Sequence, residues 1–338
     1  MTWTYTLLLA VAVFGFVFIA TPRLADLLTR RGILDHPNER SSHTTPTARG
    51  GGIVILTGLV FAWLFIGWRE PTMLVPILVV LASALVLAAI SWVDDLRSLP
   101  ALPRLAAQAV AVAVVLSLAP LPGLVFGGLL PASLDGLAAG LLWIWFINLY
   151  NFMDGIDGIA TVEATAIGIG IAAAGKVAGL ALTLPALGLS LGTACLGFLR
   201  WNWHPARIFL GDVGSVPLGF VIGWLLLWLA AEGEWASALI LPLYFLADAT
   251  WTLVRRAATG ASIWEAHKDH LYQQAYRRGL RHDQISGIVL VTDMFLVALA
   301  MVGARGEISP ALIGALACVG LLLFFLAKAE PPLGPPAP

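Results

Sequence analysis

The stretch that decides the fold is Met73–Val93, MLVPILVVLASALVLAAISWV, followed immediately by Asp94-Asp95. Twenty-one residues without a charge are enough for an α-helix to cross the hydrocarbon of a bilayer, which takes about 20. The two carboxylates mark where that crossing meets water. Working outward, comparable apolar runs recur along the chain. The spans read as Trp3–Thr21, Gly51–Trp68, Met73–Val93, Leu105–Ala119, Ser133–Tyr150, Ala160–Gly175, Leu180–Leu199, Gly214–Ala231, Trp235–Val254, Gln284–Gly303 and Ser309–Ala327. The expectation is an all-α integral membrane protein of about eleven transmembrane helices.

Composition agrees. Of the 338 residues, 59% are hydrophobic and 12% charged, against about 25% charged in soluble domains, so most of the surface does not face water. A formal net charge of −1 argues against nucleic acid as a partner. The two cysteines, Cys195 and Cys318, lie in apolar runs and suggest neither a metal site nor a disulfide. The first run has no basic leader and is long for a signal peptide, so it reads as a retained helix. Residues 1–330 read as one polytopic domain, and 331–338 as a Pro-rich disordered tail.

Charge assigns the sides. After spans 1, 3, 5, 7 and 9 and at the C-terminal end lie Arg23, Arg30, Arg31, Arg40 and Arg49, then Arg97 and Arg104, Arg200 and Arg207, and Arg255, Arg256, Lys268, Arg277, Arg278, Arg281 and Lys328. The opposite side holds Arg69, Lys176 and Arg305. Sixteen against three places the first group in the cytoplasm, the N-terminus outside and the C-terminus inside. All six histidines fall on the same inner side, as do Asp35, Asp94, Asp95, Asp154, Asp157 and Asp212. Any chemistry is expected there, on a face built from inter-helix loops.

Several inner segments carry that chemistry. In VDDLRSLPALPRLAAQ (93–108), the adjacent Asp94 and Asp95 repel each other at a membrane boundary unless a divalent cation or a basic group relieves them. Helix capping would need one Asp, and at the other helix end. In NLYNFMDGIDGIA (148–160), Asn148, Asn151, Asp154 and Asp157 recur every three residues and share a face if the turn stays helical. In NWHPARIFLGDVGSVPLG (202–219), Asp212 is either a helix N-cap or a ligand, and Phe209 either core or a stacking face for a base. In AHKDHLYQQAYRRGLRH (266–282), His267, Lys268 and His270, with Arg255 and Arg256 before them, suit phosphate better than zinc, or else lipid headgroups. In DHPNERSSHTTPTARGGG (35–52), Arg40, His43, Arg49 and a glycine run offer phosphate ligands from side chains and backbone amides. No Walker pattern is present, which argues against an ATPase. Glu163, Asp248 and Asp293 lie inside spans and need partners; Asp248 is expected to pair with Arg255 or Arg256.

Taken together and in this order, these segments resemble the polyprenyl-phosphate N-acetylhexosamine-1-phosphate transferases, over nearly the whole chain. The resemblance implies transfer of a sugar 1-phosphate from a UDP-N-acetylhexosamine to a polyprenyl phosphate such as undecaprenyl phosphate, with release of UMP, in the bacterial cytoplasmic membrane. It implies catalytic roles for Asp94, Asp95, Asp154, Asp157, His267 and His270, and Mg²⁺ (or Mn²⁺) held by Asp212 with Asp94 and Asn151. Arg40, His43, Arg49, Asn148, Asn151, Asn202, Phe209, Arg255, Arg256 and Lys268 are implied substrate ligands, and a homodimer is suggested. Lys268-Asp269 stands where many members have a further histidine, and HKDHLYQ looks like the branch serving O-antigen and capsule synthesis. The competing class is a secondary transporter, which would place polar groups at the bilayer midplane within inverted repeats. Here the acids cluster at one face and no repeat is visible. A scaffold protein would leave the aspartates without purpose.

Overall fold

A computed structural model describes residues 1–37, 45–97, 99–260 and 268–329. Its helices are α1 (Trp3–Arg30), α2 (Gly52–Arg69), α3 (Pro71–Arg97), α4 (Ala101–Leu118), α5 (Ala132–Phe152), α6 (Ile159–Val177), α7 (Thr183–Asn202), α8 (Asp212–Leu229), α9 (Trp235–Ile240), α10 (Leu243–Ala258), α11 (Leu271–Arg277), α12 (His282–Gly303) and α13 (Ile308–Lys328). Three short strands, β1 (Leu34–Asp35), β2 (Thr47–Arg49) and β3 (Ile208–Phe209), form a small sheet in that order. β1 and β2 are antiparallel, while β2 and β3 are parallel with Arg49 opposite Phe209.

Among the described residues, ten stretches are long and apolar enough to cross a membrane, Asp212–Ile240 counting as one. The ninth run therefore differs from expectation. α8 continues through a wide turn, Ala230–Glu234, into α9, and the run then breaks at Leu241-Pro242 before α10 begins. Pro242 has no N–H with which to continue the α9 ladder. α10 is two-faced: Tyr244, Phe245, Asp248, Ala249 and Thr252 are buried, whereas Trp251 and Val254 are exposed. At the other end of the chain, α1 runs nine residues past the apolar stretch expected to end at Thr21.

α8 is the centre of the bundle. It is apolar on every side, the pattern of a helix that never meets solvent, and every residue from Val213 to Leu229 is buried. Around it, α3 and α5 pack closely, with α2, α6 and α7 completing the wall. The outermost helices present bare hydrocarbon: Leu8, Val11, Val75, Val110, Leu141, Met294, Leu316 and Phe324 are all exposed. An apolar exterior of this extent fits a lipid surround. The chain is a multi-pass membrane protein.

The two ends of the bundle differ. At one, the N-terminal amine contacts Glu70, Lys176 lies over the Trp3 ring and Arg69 over Tyr5. Two of the three basic residues expected outside, Arg69 and Lys176, thus rest on aromatic rings. At the other end, the C-termini of α3, α5 and α7 meet the N-termini of α4, α6, α8 and α12, and the sheet sits among them. Glu163 of α6 and Asp293 of α12 lie close enough to interact, fully enclosed, and among the described residues none of their four oxygens is in a well-formed hydrogen bond.

Candidate active site

The polar end is organised by an acidic cluster around the start of α8. Asp95 Oδ1 and Oδ2 accept the backbone N–H groups of Asp212 and Val213, each at 3.1 Å. The first turn of a helix has unpaired amides and a partial positive charge, so a carboxylate from α3 supplies the cap that α8 lacks in its own sequence. Arg49 closes the arrangement, with Nη2 at 2.6 Å from Asp95 Oδ1 and 3.2 Å from Asp212 Oδ1. Asp94 faces differently. Its Oδ1 accepts Leu99 N at 2.6 Å and its Oδ2 accepts Arg104 Nη1 at 2.8 Å, while Arg104 also comes within 3.9 Å of Asp212. The predicted repulsion within the Asp pair is met by these two arginines.

α5 supplies the floor. The Asn151 carboxamide oxygen accepts a short hydrogen bond from the Ser215 hydroxyl of α8. Asn148 donates to Gln108 of α4 at 2.6 Å and to Ile144 O at 2.8 Å. The helix then stops at Phe152, so the expected shared face of four residues does not form. Asp154 remains with the acidic cluster: burial first, then the fields of Asp212, Asp95 and Asp157, outweigh Arg49 and push it up to about 7. Arg49 itself is raised, because Asp95, Asp212 and Asp35 together outweigh the burial that would lower it.

Asp157 turns the other way. Its Oδ2 is 2.6 Å from His204 Nδ1 and accepts Ala206 N at 3.1 Å, and its Oδ1 is 3.3 Å from His282 Nδ1. Burial works to raise this carboxyl, but hydrogen bonding and charge from His282, His204 and the Ala206 amide hold it below the usual range. These groups line a cavity of about 510 Å³ together with Thr45, Thr47, Phe209, Tyr276 and Arg281. Of the residues expected to act, Asp157 and Phe209 line this cavity, and Asp94, Asp95, Asp154 and Asp212 do not.

The glycine run of 50–52 has a different use from the one its sequence suggests. The amides of Gly50 and Gly51 donate to Phe209 O at 3.2 and 2.8 Å, and that of Gly52 to Leu210 O at 3.0 Å, so they are not available to phosphate. A Cβ on Gly52 would lie 2.0 Å from Gly214 Cα. Two backbones cross here, and that crossing carries Arg49 to Asp95 and Asp212. Asn202 is likewise structural in its contacts: it is 3% exposed, accepts Thr161 Oγ1 at 2.7 Å and donates to Ile208 O at 3.0 Å. It fixes β3, and Phe209 with it, rather than lining the cavity.

Asp248 does not pair with Arg255 or Arg256. Its carboxylate accepts Leu271 N at 2.9 Å and Tyr272 N at 3.3 Å, plus the hydroxyl of Thr252. It therefore tethers the start of α11 to α10, with His270 Nδ1 at 3.7 Å. Arg256 is paired with Asp269, Arg255 is exposed, and Lys268 is half-buried. His267, Arg40 and His43 lie outside the described residues, as does 331–338. Sequence reading missed Arg104, His204, His282, Ser215 and Tyr276 as site residues. Nothing local marks them; only their partners, some of them more than a hundred residues away, do.

Comparison with known proteins bears on this arrangement. Residues 77–230, which hold both Asp94-Asp95 and Asp212, match the glycosyl transferase family 4 model. A decaprenyl-phosphate N-acetylglucosaminephosphotransferase of Mycolicibacterium smegmatis is 30% identical over 308 residues, covering 78% of this chain and 74% of that one. The protein of the same name from Mycobacterium tuberculosis is 29% identical over 314 residues, covering 80% and 76%. A probable undecaprenyl-phosphate N-acetylglucosaminyl 1-phosphate transferase of Bacillus subtilis is 28% identical over 298 residues, covering 85% and 81%. With its paired aspartates and the capped α8 inside the matched region, the chain belongs to glycosyl transferase family 4 and is a phosphotransferase.

Proposed function

We propose that the chain transfers N-acetylhexosamine 1-phosphate from a UDP-sugar to a polyprenyl phosphate such as undecaprenyl phosphate, releasing UMP and leaving a polyprenyl diphosphate sugar. The observation that carries this reading is the gathering of Asp94, Asp95, Asp154, Asp212, Arg49 and Arg104 at one end of a lipid-facing bundle, beside a cavity able to take a nucleotide. The names of the relatives support a polyprenyl phosphate acceptor and an N-acetylated sugar. The HKDHLYQ segment supports an O-antigen or capsule pathway as its destination. Residues 1–330 act as one catalytic unit in the bacterial cytoplasmic membrane, with the site on the cytoplasmic face, and a homodimer is the proposed assembly.

The donor set fits a hard divalent cation: the Asp212 and Asp94 carboxylates and the Asn151 carboxamide are all oxygen ligands, and the Asp212 side chain is 24% exposed, within reach of solvent. Mg²⁺ or Mn²⁺, when bound, supplies charge that offsets the diphosphate in the transition state. Arg49 and Arg104, now engaged with these carboxylates, present planar donors suited to phosphate oxygens. The acceptor phosphate has its second pKa near 6 and attacks the β-phosphorus as a dianion. Asp154, pushed up to about 7, is the carboxyl tuned to exchange a proton with it near neutral pH. Phe209 offers the cavity a flat face for uracil.

The test is to incubate purified protein with radiolabelled UDP-N-acetylglucosamine or UDP-N-acetylgalactosamine, polyprenyl phosphate and Mg²⁺, then extract the lipid. Label in the organic phase with stoichiometric UMP is the expected result. Lipid-linked label accompanied by UDP, or none with either sugar, sinks the reading.

A further inference from the structure

Outside the acidic cluster, a second group of ligating side chains converges from three separate elements. Asp157 comes from the turn between α5 and α6, His204 from the segment between α7 and β3, and His282 from the first residue of α12. One ring nitrogen from each histidine and one carboxylate oxygen all lie within 4.8 Å of one another. Asp157 and His282 are almost fully enclosed, while the His204 side chain is 36% exposed. The group forms part of the cavity wall.

Hydrogen bonding alone leaves this group unsatisfied. His282 Nδ1 faces the Asp157 N–H at 3.4 Å and the Asp157 Oδ1 at 3.3 Å, one a donor and the other an acceptor. A proton on that nitrogen opposes the amide; a lone pair opposes the carboxylate. His282 Nε2 is buried with no hydrogen-bond partner among the described residues, a loss that a buried polar atom seldom sustains. A cation set between the ring nitrogen and the carboxylate relieves the opposition of the lone pair and Asp157 Oδ1. Tyr276, with its ring centroid 4.6 Å from that of His282, fixes the ring. Arg281, which lines the same cavity, is engaged by Asp283 at 2.6 Å, which reduces its repulsion of an incoming ion.

We infer that Asp157, His204 and His282 form a second metal site, selective for a zinc-type divalent ion over Mg²⁺. Two imidazoles and one carboxylate suit Zn²⁺, Co²⁺ or Ni²⁺, whereas Mg²⁺ keeps to oxygen ligands. Bonds of about 2.0–2.1 Å at a tetrahedral ion put neighbouring ligand atoms roughly 3.3 Å apart. The observed separations, 2.6 Å from His204 Nδ1 to Asp157 Oδ2 and 3.3 Å from His282 Nδ1 to Oδ1, lie around that spacing. With one ligand atom from each residue the set spans up to 4.8 Å, so the side chains must draw in around the ion. Three protein ligands leave an open position, and here it faces the cavity. The ion ties the α5–α6 turn, the entry to β3 and the start of α12 around that space. None of these three residues is among the proposed Mg²⁺ ligands, Asp212, Asp94 and Asn151, and the site does not depend on which sugar is transferred.

Purified full-length protein, stripped with chelator and returned to millimolar Mg²⁺, is titrated with CoCl₂ while the visible ligand-field absorption is followed. The expected result is saturation at one Co²⁺ per chain, with the band displaced by ZnCl₂ and unaffected by further Mg²⁺. His282→Gln and His204→Gln should each weaken Co²⁺ binding at least ten-fold, and Asp212→Asn should leave the band intact. Melting curves in detergent establish that each variant is folded; an Asp157→Glu variant, which keeps the ligand type, is read alongside them. No band in the native protein, a band that survives both histidine substitutions, or equal competition by Mg²⁺ overturns the inference.

Discussion

Asp94 and Asp95 are neighbours in sequence with separate tasks. Asp95 is committed to the first amides of α8 and to Arg49, so it builds the site. Asp94 holds Arg104 and the Leu99 amide at the side that opens toward Asp212, where the reacting phosphates are proposed to lie. Interactions realised only in the transition state lower kcat when removed, whereas uniform binding, once lost, raises KM alone. Asp94→Asn is therefore expected to cut kcat by a factor on the order of 10². Phe209→Ala should mainly raise KM for the UDP-sugar, by about 1–3 kcal/mol of lost stacking. Steady-state kinetics at saturating lipid phosphate separate the two; equal loss of kcat in both variants would remove Phe209 from the nucleotide pocket. Asp154 gives a pH signature of its own. Its folded pKa of about 7 exceeds the ordinary value of 3.8, so between those limits the folded state holds more protons than the unfolded one. Its contribution to stability is then full below pH 3.8 and is lost as pH rises through 7, with a slope of up to about 1.4 kcal/mol per pH unit. In metal-free detergent solution, Asp154→Asn should flatten that part of the stability profile relative to the native protein. An unchanged slope would show that Asp154 is not the group concerned.

At the scale of elements, helices are placed by side chains borrowed from other helices. α8 begins under Asp95 from α3, and α11 begins under Asp248 from α10. Both aspartates were visible in the sequence as acids at or inside the membrane, where they demand partners. What the sequence could not show is that the partners are backbone amides. Local pattern reading pairs a charge with the nearest opposite charge, and so paired Asp248 with Arg255 and Arg256. The fold instead uses the unpaired N–H groups that every helix start must satisfy. The glycines at 50–52 mislead for a similar reason, since a run that bares backbone amides suits phosphate and a crossing strand equally well. A test follows at α11. Asp248→Ala leaves two buried amides without acceptors, at a cost of about 1–3 kcal/mol each. It should lower the melting temperature and speed proteolysis around 268–278. Arg255→Ala, at an exposed position, should leave the melting curve where it was. If the two variants melt alike, Asp248 does not tether α11.

For the molecule as a whole, the legible part of the sequence was its polarity. Apolar runs gave the helices, and the sixteen-to-three division of Lys and Arg gave two unlike ends. The structure has two unlike ends: Arg69, Glu70 and Lys176 at one, and the paired carboxylates, histidines and sheet at the other. The Asp157–His204–His282 group stayed hidden because its members lie 47 and 125 residues apart from Asp157 in the chain, in segments whose other residues already sufficed to explain them. The orientation of this polarity in the cell is the last matter to test, and it bears on which compartment supplies the substrate. The mean hydropathy of +0.89 and charged content of 12% leave few charges to set orientation, so the basic residues that exist dominate it. Turning the bundle over would carry the whole basic group across the bilayer in exchange for Arg69, Lys176 and Arg305. Two positions report the result: Leu96, 54% exposed beside the aspartates, and Arg305, exposed in the turn between α12 and α13. In a background where alanine replaces Cys195 and Cys318, Leu96→Cys should react with a membrane-impermeant maleimide in inside-out vesicles and not in intact cells. Arg305→Cys should show the reverse. Reaction of Leu96→Cys in intact cells would place the site outside the cytoplasm, away from the nucleotide sugars made there, and the proposed donor would fall with it.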